Sequence, residues 1–257
     1  MSASSVRALL FLLLAMLVGC ATGPSIPYET DVVPGFDAET LACVAVVSER
    51  DSGLGSAVRV APNRLLTARH VADALRHDAA GTFEFRIDGE LVTGRVVAQG
   101  DVDAPHGDWA LIEVDGAAWP PERIAELHAP CAAPDWRPAP GTNVVLAGYA
   151  SNFFPNRRLR LPTTAPTLAS RVIDAGAHPE DAEEAWFLAP NEFELAGLSG
   201  GAVFLRTLAS KRPELIGVYT GTTTYESALE GPFGLKLSVR KESAHRFVRL
   251  PAALFER

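Results

Sequence analysis

Leu65-Leu66-Thr67-Ala68-Arg69-His70-Val71 ends a short apolar run on a histidine. Alone, a histidine just past a strand is more often structural than reactive, so its meaning depends on its surroundings. Upstream and downstream lie brief runs rich in Val, Ile, Leu and Phe, set apart by Gly, Asp, Asn or Pro: Leu41 to Ser48, Gly55 to Val60, Arg64 to Thr67, Thr82 to Ile87, Leu91 to Ala98 and Trp109 to Val114. Six short strands in so compact a span predict a small closed barrel. Ala117 to Pro140 is Pro- and Ala-rich and reads as a connection. A second set of strands is expected at Asn143 to Tyr149, near Ala169 to Ile173, and at Ala185 to Ala189, Gly201 to Arg206, Leu215 to Thr220 and Phe233 to Leu237. From Ser238 onward, Val239, Ala244, Phe247 and Val248 recur at near-helical spacing, which predicts a short C-terminal helix over about 239–250, ended by Pro251.

Two further segments give the histidine a chemical context. Asp108-Trp109-Ala110-Leu111-Ile112 opens an apolar strand with a carboxylate, and Gly197-Leu198-Ser199-Gly200-Gly201-Ala202-Val203 sets a serine in a glycine turn. A serine hydroxyl is a poor nucleophile at neutral pH and needs an imidazole to take its proton as it attacks a carbonyl. The imidazole needs a carboxylate on its other nitrogen, which fixes its tautomer and stabilises the imidazolium. His70, Asp108 and Ser199 are the candidates for these roles. Asp101 and Asp103 compete for the carboxylate role, but only Asp108 opens the apolar strand. The glycines let the backbone turn tightly and present the amides of Gly197 and Ser199 to a developing oxyanion. His77, His106, His128, His178 and His245 lack such context and are expected on the surface or in loops.

In these three segments the chain resembles the chymotrypsin/trypsin family of serine peptidases, its compact bacterial members in particular. Thr67-Ala68-Arg69-His70 is similar to the family's Thr-Ala-Ala-His, Asp108 to Leu111 to its Asp-x-Ala-Leu, and Gly197 to Gly201 to its Gly-Asp-Ser-Gly-Gly. The resemblance covers roughly Asp37 to Leu250. It implies an all-β fold of two packed six-stranded antiparallel barrels, at about 36–116 and 140–238, with His70 and Asp108 in the first and Ser199 in the second. It implies a serine endopeptidase that works through an acyl-enzyme and needs no cofactor. Two departures stand out. Arg69 replaces a small residue beside the histidine, and Leu198 replaces the Asp or Asn that precedes the serine. In family zymogens that Asp pairs with a freed N-terminus, so its absence implies that this chain does not use that switch. The family's layout puts Phe193 at the base of the primary pocket, between Glu192 and Glu194. A carboxylate at that base would favour Arg or Lys, so Phe193 gives no support for a trypsin-like charge preference. Val218 to Thr222 is similar to the segment that lines the pocket and pairs with extended substrate, which makes Thr220 and Thr222 substrate-binding candidates.

Two rival readings remain beside this one. Gly197 to Gly201 also satisfies Gly-x-Ser-x-Gly, the nucleophile elbow of α/β-hydrolases, but that fold requires a helix after the serine and an acid and a histidine downstream. Here a strand follows, and no Asp occurs after Ser199. The second rival is a binding or scaffolding lipoprotein that keeps the protease fold without hydrolysis.

The N-terminus predicts where the chain works. Arg7 is the only charge in the first twenty residues, Ala8 to Val18 is uninterruptedly apolar, and Leu17-Val18-Gly19-Cys20 follows. The run is too short to cross a bilayer core about 30 Å thick, so it reads as a secretory signal over 1–19. Small residues before the cysteine resemble the bacterial lipobox, which implies a lipid on Cys20. Ala21 after it implies outer-membrane sorting; an ordinary signal peptide with an incidental Cys20 is the alternative. Residues 20–35 are rich in Pro, Ser and Thr and read as a tether to a domain over 36–257. A formal charge of −8 argues against nucleic acid and against a polybasic grip on lipid. The expected partners are a protein or peptide substrate and, through the lipid, a membrane. Cys43 and Cys131 either pair, as an extracytoplasmic compartment permits, or stay as buried thiols. No zinc-finger spacing and no His-Glu-x-x-His occurs, so no metal site is expected.

Overall fold

The computed structural model describes residues 33, 35–49, 52–75, 78–101, 104, 107–133, 136–149, 167–173, 185–188, 198–206, 212–230 and 236–255. The first six strands are β1 (Val44–Glu49), β2 (Ser52–Ala61), β3 (Arg64–Thr67), β4 (Thr82–Ile87), β5 (Glu90–Gln99) and β6 (Ala110–Val114). They form a closed antiparallel barrel in the order β1-β2-β3-β6-β5-β4. A single helical turn, α1 (Arg69–Asp73), follows β3. Each of these strands overlaps a run expected from the sequence.

The second half contains β7 (Glu126–Leu127), β8 (Asn143–Ala147), β9 (Thr167–Ile173), β10 (Ala185–Leu188), β11 (Ala202–Leu205), β12 (Glu214–Glu230) and β13 (Lys236–Arg249). The order is β11-β8-β9-β10-β13-β12-β7, and an additional β11–β12 pairing returns six of the strands on themselves. Strand β7 lies outside that ring, parallel to β12.

Two expectations are corrected here. The C-terminal helix over 239–250 is absent: that segment belongs to β13, paired with β12 from Gly217↔Arg249 to Glu230↔Lys236 and with β10 at Ala244 to Phe247. Apolar residues at 239, 244, 247 and 248 suit a helical stripe, but ladder bonds to two neighbouring strands satisfy the backbone better than an isolated short helix can. The only C-terminal helical turn among the described residues is the 3₁₀ turn Ala252–Leu254. The last strand also extends well beyond the expected Phe233 to Leu237: β13 takes in Lys236 and Leu237 and runs to Arg249, and β12 is far longer than the expected Leu215 to Thr220.

Alternation along the strands explains why the runs look continuously apolar. Ala45, Val47, Leu65, Phe85 and Ile112 fill the interior of the first barrel. Their neighbours Val44, Leu66 and Leu111 turn the other way and join a cluster with Val144, Leu146, Phe204, Val218 and Phe247 of the second half. Strands buried on both faces need apolar side chains at successive positions. This shared core sets β3 and β6, which lead to His70 and from Asp108, against the half that carries Ser199.

Candidate active site

His70 and Asp108 meet because two adjacent strands deliver them. Strands β3 and β6 pair from Arg64↔Glu113 to Thr67↔Ala110, so the residue after Thr67 and the residue before Ala110 come out at the same barrel edge. At that edge the chain turns into α1, and the His70 amide donates to Asp108 Oδ1 at 3.1 Å. The ring Nδ1 lies 3.1 Å from Oδ1 and 2.9 Å from Oδ2. An ionised carboxylate only accepts, so the proton of a neutral ring sits on Nδ1 and leaves the Nε2 lone pair available. Burial acts to raise the Asp108 carboxyl pKa. Hydrogen bonds from the His70 ring and amide, with the electrostatic influence of His70 and Arg246, outweigh burial and hold it below the ordinary carboxylate value.

Arg69 has a visible task beside this pair. Its Nη1 donates to the Gly100 carbonyl at 2.7 Å and its Nε to Asp73 Oδ2 at 3.3 Å. The Gly100 amide in turn donates to the Trp109 carbonyl at 2.9 Å. A small residue at position 69 could not bind the loop next to Asp108 in this way.

Ser199 stands in a tight turn whose Gly201 amide donates to the Leu198 carbonyl at 2.8 Å. The third residue of that turn, Gly200, has φ +83°, a conformation L side chains disfavour. Space excludes a side chain there too: a Cβ on Gly200 would come within 2.0 Å of the Ser56 carbonyl oxygen and 2.2 Å of Thr67 Oγ1. The Gly200 amide donates to the Tyr219 carbonyl, and the Tyr219 amide to Gly201, each at 2.8 Å, so β12 holds the turn from behind. Among the described residues no acceptor takes the Ser199 amide hydrogen, and no hydrogen bond joins Ser199 Oγ to His70.

The residue that seats the serine turn on the first barrel is Ser56, fully buried in β2. Its amide donates to the Ser199 carbonyl at 2.8 Å, its carbonyl accepts from Thr67 Oγ1 at 2.7 Å, and its Oγ accepts from the Tyr149 amide at 2.8 Å. Gly55 beside it must lack a side chain, because a Cβ there would lie 2.8 Å from the Ser199 carbonyl oxygen and 2.8 Å from a Val71 methyl. In the sequence Gly55-Ser56-Ala57 reads as the head of the apolar segment that leads to His70, with no separate role for Ser56. A buried serine in an apolar strand was the available signal, since it must find polar partners.

The other candidates divide between placed and undescribed. Thr220 is buried in β12 with its Oγ1 donating to the Arg246 carbonyl at 3.4 Å. Thr222 pairs with His245 across the β12–β13 ladder. Phe193, Gly197 and Cys20 lie outside the described residues, as do Glu192, Glu194, Asp103, His77, His106 and His178. Asp101 is exposed on the loop ahead of Asp108. Cys43 and Cys131 are both free and buried; of the two alternatives left by the sequence, it is the unpaired one that is seen. Cys43 faces the Thr40 carbonyl and Cys131 the Ile216 carbonyl. Of the two described histidines expected on the surface or in loops, His128 lies in the loop after β7, half-buried against Glu214 Oε2 and Trp136, and His245 is placed otherwise. His245 is buried in β13, 3.2 Å from the Tyr219 hydroxyl. No group of three His, Cys, Asp or Glu that could hold a metal ion occurs among the described residues.

Comparison with solved structures gives the architecture its class. Neuropsin, a serine protease expressed in the limbic system of mouse brain, superposes with a TM-score of 0.52 over 82% of this chain and 92% of its own, at 14% sequence identity. The fold is that of the trypsin-like serine proteases. No protein-family model matches the sequence, and no curated protein matches it. The likeness at 14% identity is one of fold; chemistry has to be argued from the site itself.

Proposed function

We propose that this protein is a serine endopeptidase in which Ser199 is the nucleophile, His70 the general base and Asp108 the carboxylate that orients it. The observation that carries the reading is the hydrogen-bonded Asp108–His70 pair at the barrel edge next to the glycine turn of Ser199. Ser199 Oγ attacks a peptide carbonyl while its proton passes to His70 Nε2. The tetrahedral oxyanion draws on the Ser199 amide and, by resemblance, on that of Gly197. His70 then protonates the leaving amine as the C–N bond breaks. Water, deprotonated by His70, attacks the acyl-enzyme, and the acid leaves with Ser199 restored. The substrate class is protein or peptide. The Cys20 lipid would tether the domain to the bacterial cell envelope, at the outer membrane by the Ala21 rule.

A second reading, a protease-fold lipoprotein that binds without cleaving, is favoured by one observation: the absent hydrogen bond between Ser199 Oγ and His70 among the described residues. Such bonds often tighten only with substrate. A fluorophosphonate probe separates the two. Wild type should be labelled and Ser199→Ala should not; folded wild type that stays unlabelled would establish the binding reading instead. The tether is tested by Cys20→Ser, which should move the protein from the membrane fraction to the soluble one. A variant that still pellets with membranes refutes the lipid anchor.

A further inference from the structure

Arg246 is a charged residue of β13 that belongs to none of the three sequence motifs around His70, Asp108 and Ser199. It alternates with the buried side chains of His245 and Phe247, so it leaves the strand on the opposite face, half-buried. Its register partner in β12 is Gly221, where the ladder slips between Tyr219 and Gly221. The guanidinium folds back over that glycine: a Cβ built on Gly221 would lie 3.5 Å from Arg246 Nη2 and 4.0 Å from Nε. The same cation acts on the Asp108 carboxyl. The guanidinium therefore lies over Gly221, a backbone position without a side chain, and its charge reaches the Asp108 carboxyl.

We propose that Arg246 is a specificity-determining residue whose guanidinium receives an acidic side chain of the substrate close to the scissile bond. The inference rests on the endopeptidase reading above and adds a substrate class to it. An extended peptide laid along Thr220 to Thr222 would place one of its side chains against the guanidinium. Closing a peptide over that group removes water from a permanent charge, which is unfavourable unless the incoming side chain replaces the lost interactions. An Asp or Glu does so with charge-assisted, bidentate hydrogen bonds. An apolar side chain does not, and a Lys or Arg is repelled. The guanidinium has five N–H donors, so bonds it makes within the protein still leave donors for a substrate carboxylate. Gly221 matters equally, because any side chain there would fill the space the carboxylate enters.

The experiment is cleavage of a positional-scanning peptide library by wild type, Arg246→Lys, Arg246→Gln and Arg246→Glu, with fluorophosphonate labelling of wild type in parallel. Wild type should favour Asp or Glu over Ala at one position near the cut by about ten- to hundredfold in kcat/KM, the range of one charge-assisted pair. Arg246→Lys should keep a reduced acidic preference, Arg246→Gln should lose it, and Arg246→Glu should invert it toward Lys and Arg. Reading ratios between substrates removes any general loss of activity caused by the substitution. Wild type that is labelled and cleaves without an acidic preference overturns this inference alone, as does a preference that survives Arg246→Gln. Wild type that is neither labelled nor able to cleave overturns the endopeptidase reading together with it.

Discussion

At the scale of single residues, His245 shows how burial turns a titratable group into a stability term. The residue is 1% exposed, and burial pushes its pKa down to about 4 from an ordinary value of 6.5. Above pH 6.5 the ring is neutral in both folded and unfolded chains, so stability is unaffected there. As pH falls from 6.5 toward 4, the unfolded chain takes up the proton and the folded one does not, so folding loses stability across that window and the loss levels off below it. The span corresponds to about 3 kcal/mol at most. His245→Gln, which keeps a hydrogen-bonding group near the Tyr219 hydroxyl but cannot titrate, should remove this dependence. In urea unfolding followed from pH 7 to pH 4, the difference between wild type and variant should be flat above 6.5 and shrink below it. A difference that stays constant over the whole range would mean that the folded ring is protonated as easily as the unfolded one.

Among elements, the glycine turn around Ser199 was legible from the sequence and its seat was not. Gly197 to Gly201 announced a serine presented on a tight turn, and the strand β11 after it separated the chain from α/β-hydrolases. Ser56, which binds that turn to Thr67 and Tyr149, acts through contacts between residues remote in the chain; a serine within an apolar strand signals a need for polar partners but not which ones they are. The β13 segment was misread for a related reason: its apolar spacing suits a helix, while its partners, β10 and β12, are set by tertiary pairing. The turn also yields a quantitative test. Gly200→Ala meets both a positive φ and overlap with Ser56 and Thr67, whereas Gly81→Ala meets φ +77° with nothing within 4 Å. The control should lose about 1–2 kcal/mol, the ordinary left-handed penalty. Gly200→Ala should lose clearly more, about 3 kcal/mol or above, once overpacking is added, and its fluorophosphonate labelling should fall with it. Equal urea midpoints for the two variants would show that the serine turn is not held so closely against β2 and β3.

For the molecule as a whole, the order of His70, Asp108 and Ser199 and the two groups of strands carried most of the architecture. Each strand's hydrophobic run reports its own burial, and a two-barrel fold is mostly strands of that kind. What the runs could not tell is that both barrels share one core. Val44, Leu66 and Leu111 from the first half lie in the same cluster as Phe204, Val218 and Phe247 from the second. Neither half can expose its face of that cluster without taking apolar surface of the other into water, so the two should unfold together. Cys43 and Cys131 are natural reporters, since both belong to the shared cluster and burial pushes their thiols up to about 11 and about 12. Thiolate is the reactive form, so the folded protein should react negligibly with a thiol reagent at neutral pH. In a guanidinium titration both cysteines should become reactive in one transition that coincides with the change in tryptophan fluorescence, with no reductant required. Separate midpoints for the two thiols would mean that the halves are independent. Reactivity that appears only after reduction would mean that Cys43 and Cys131 are joined, against the free thiols seen here.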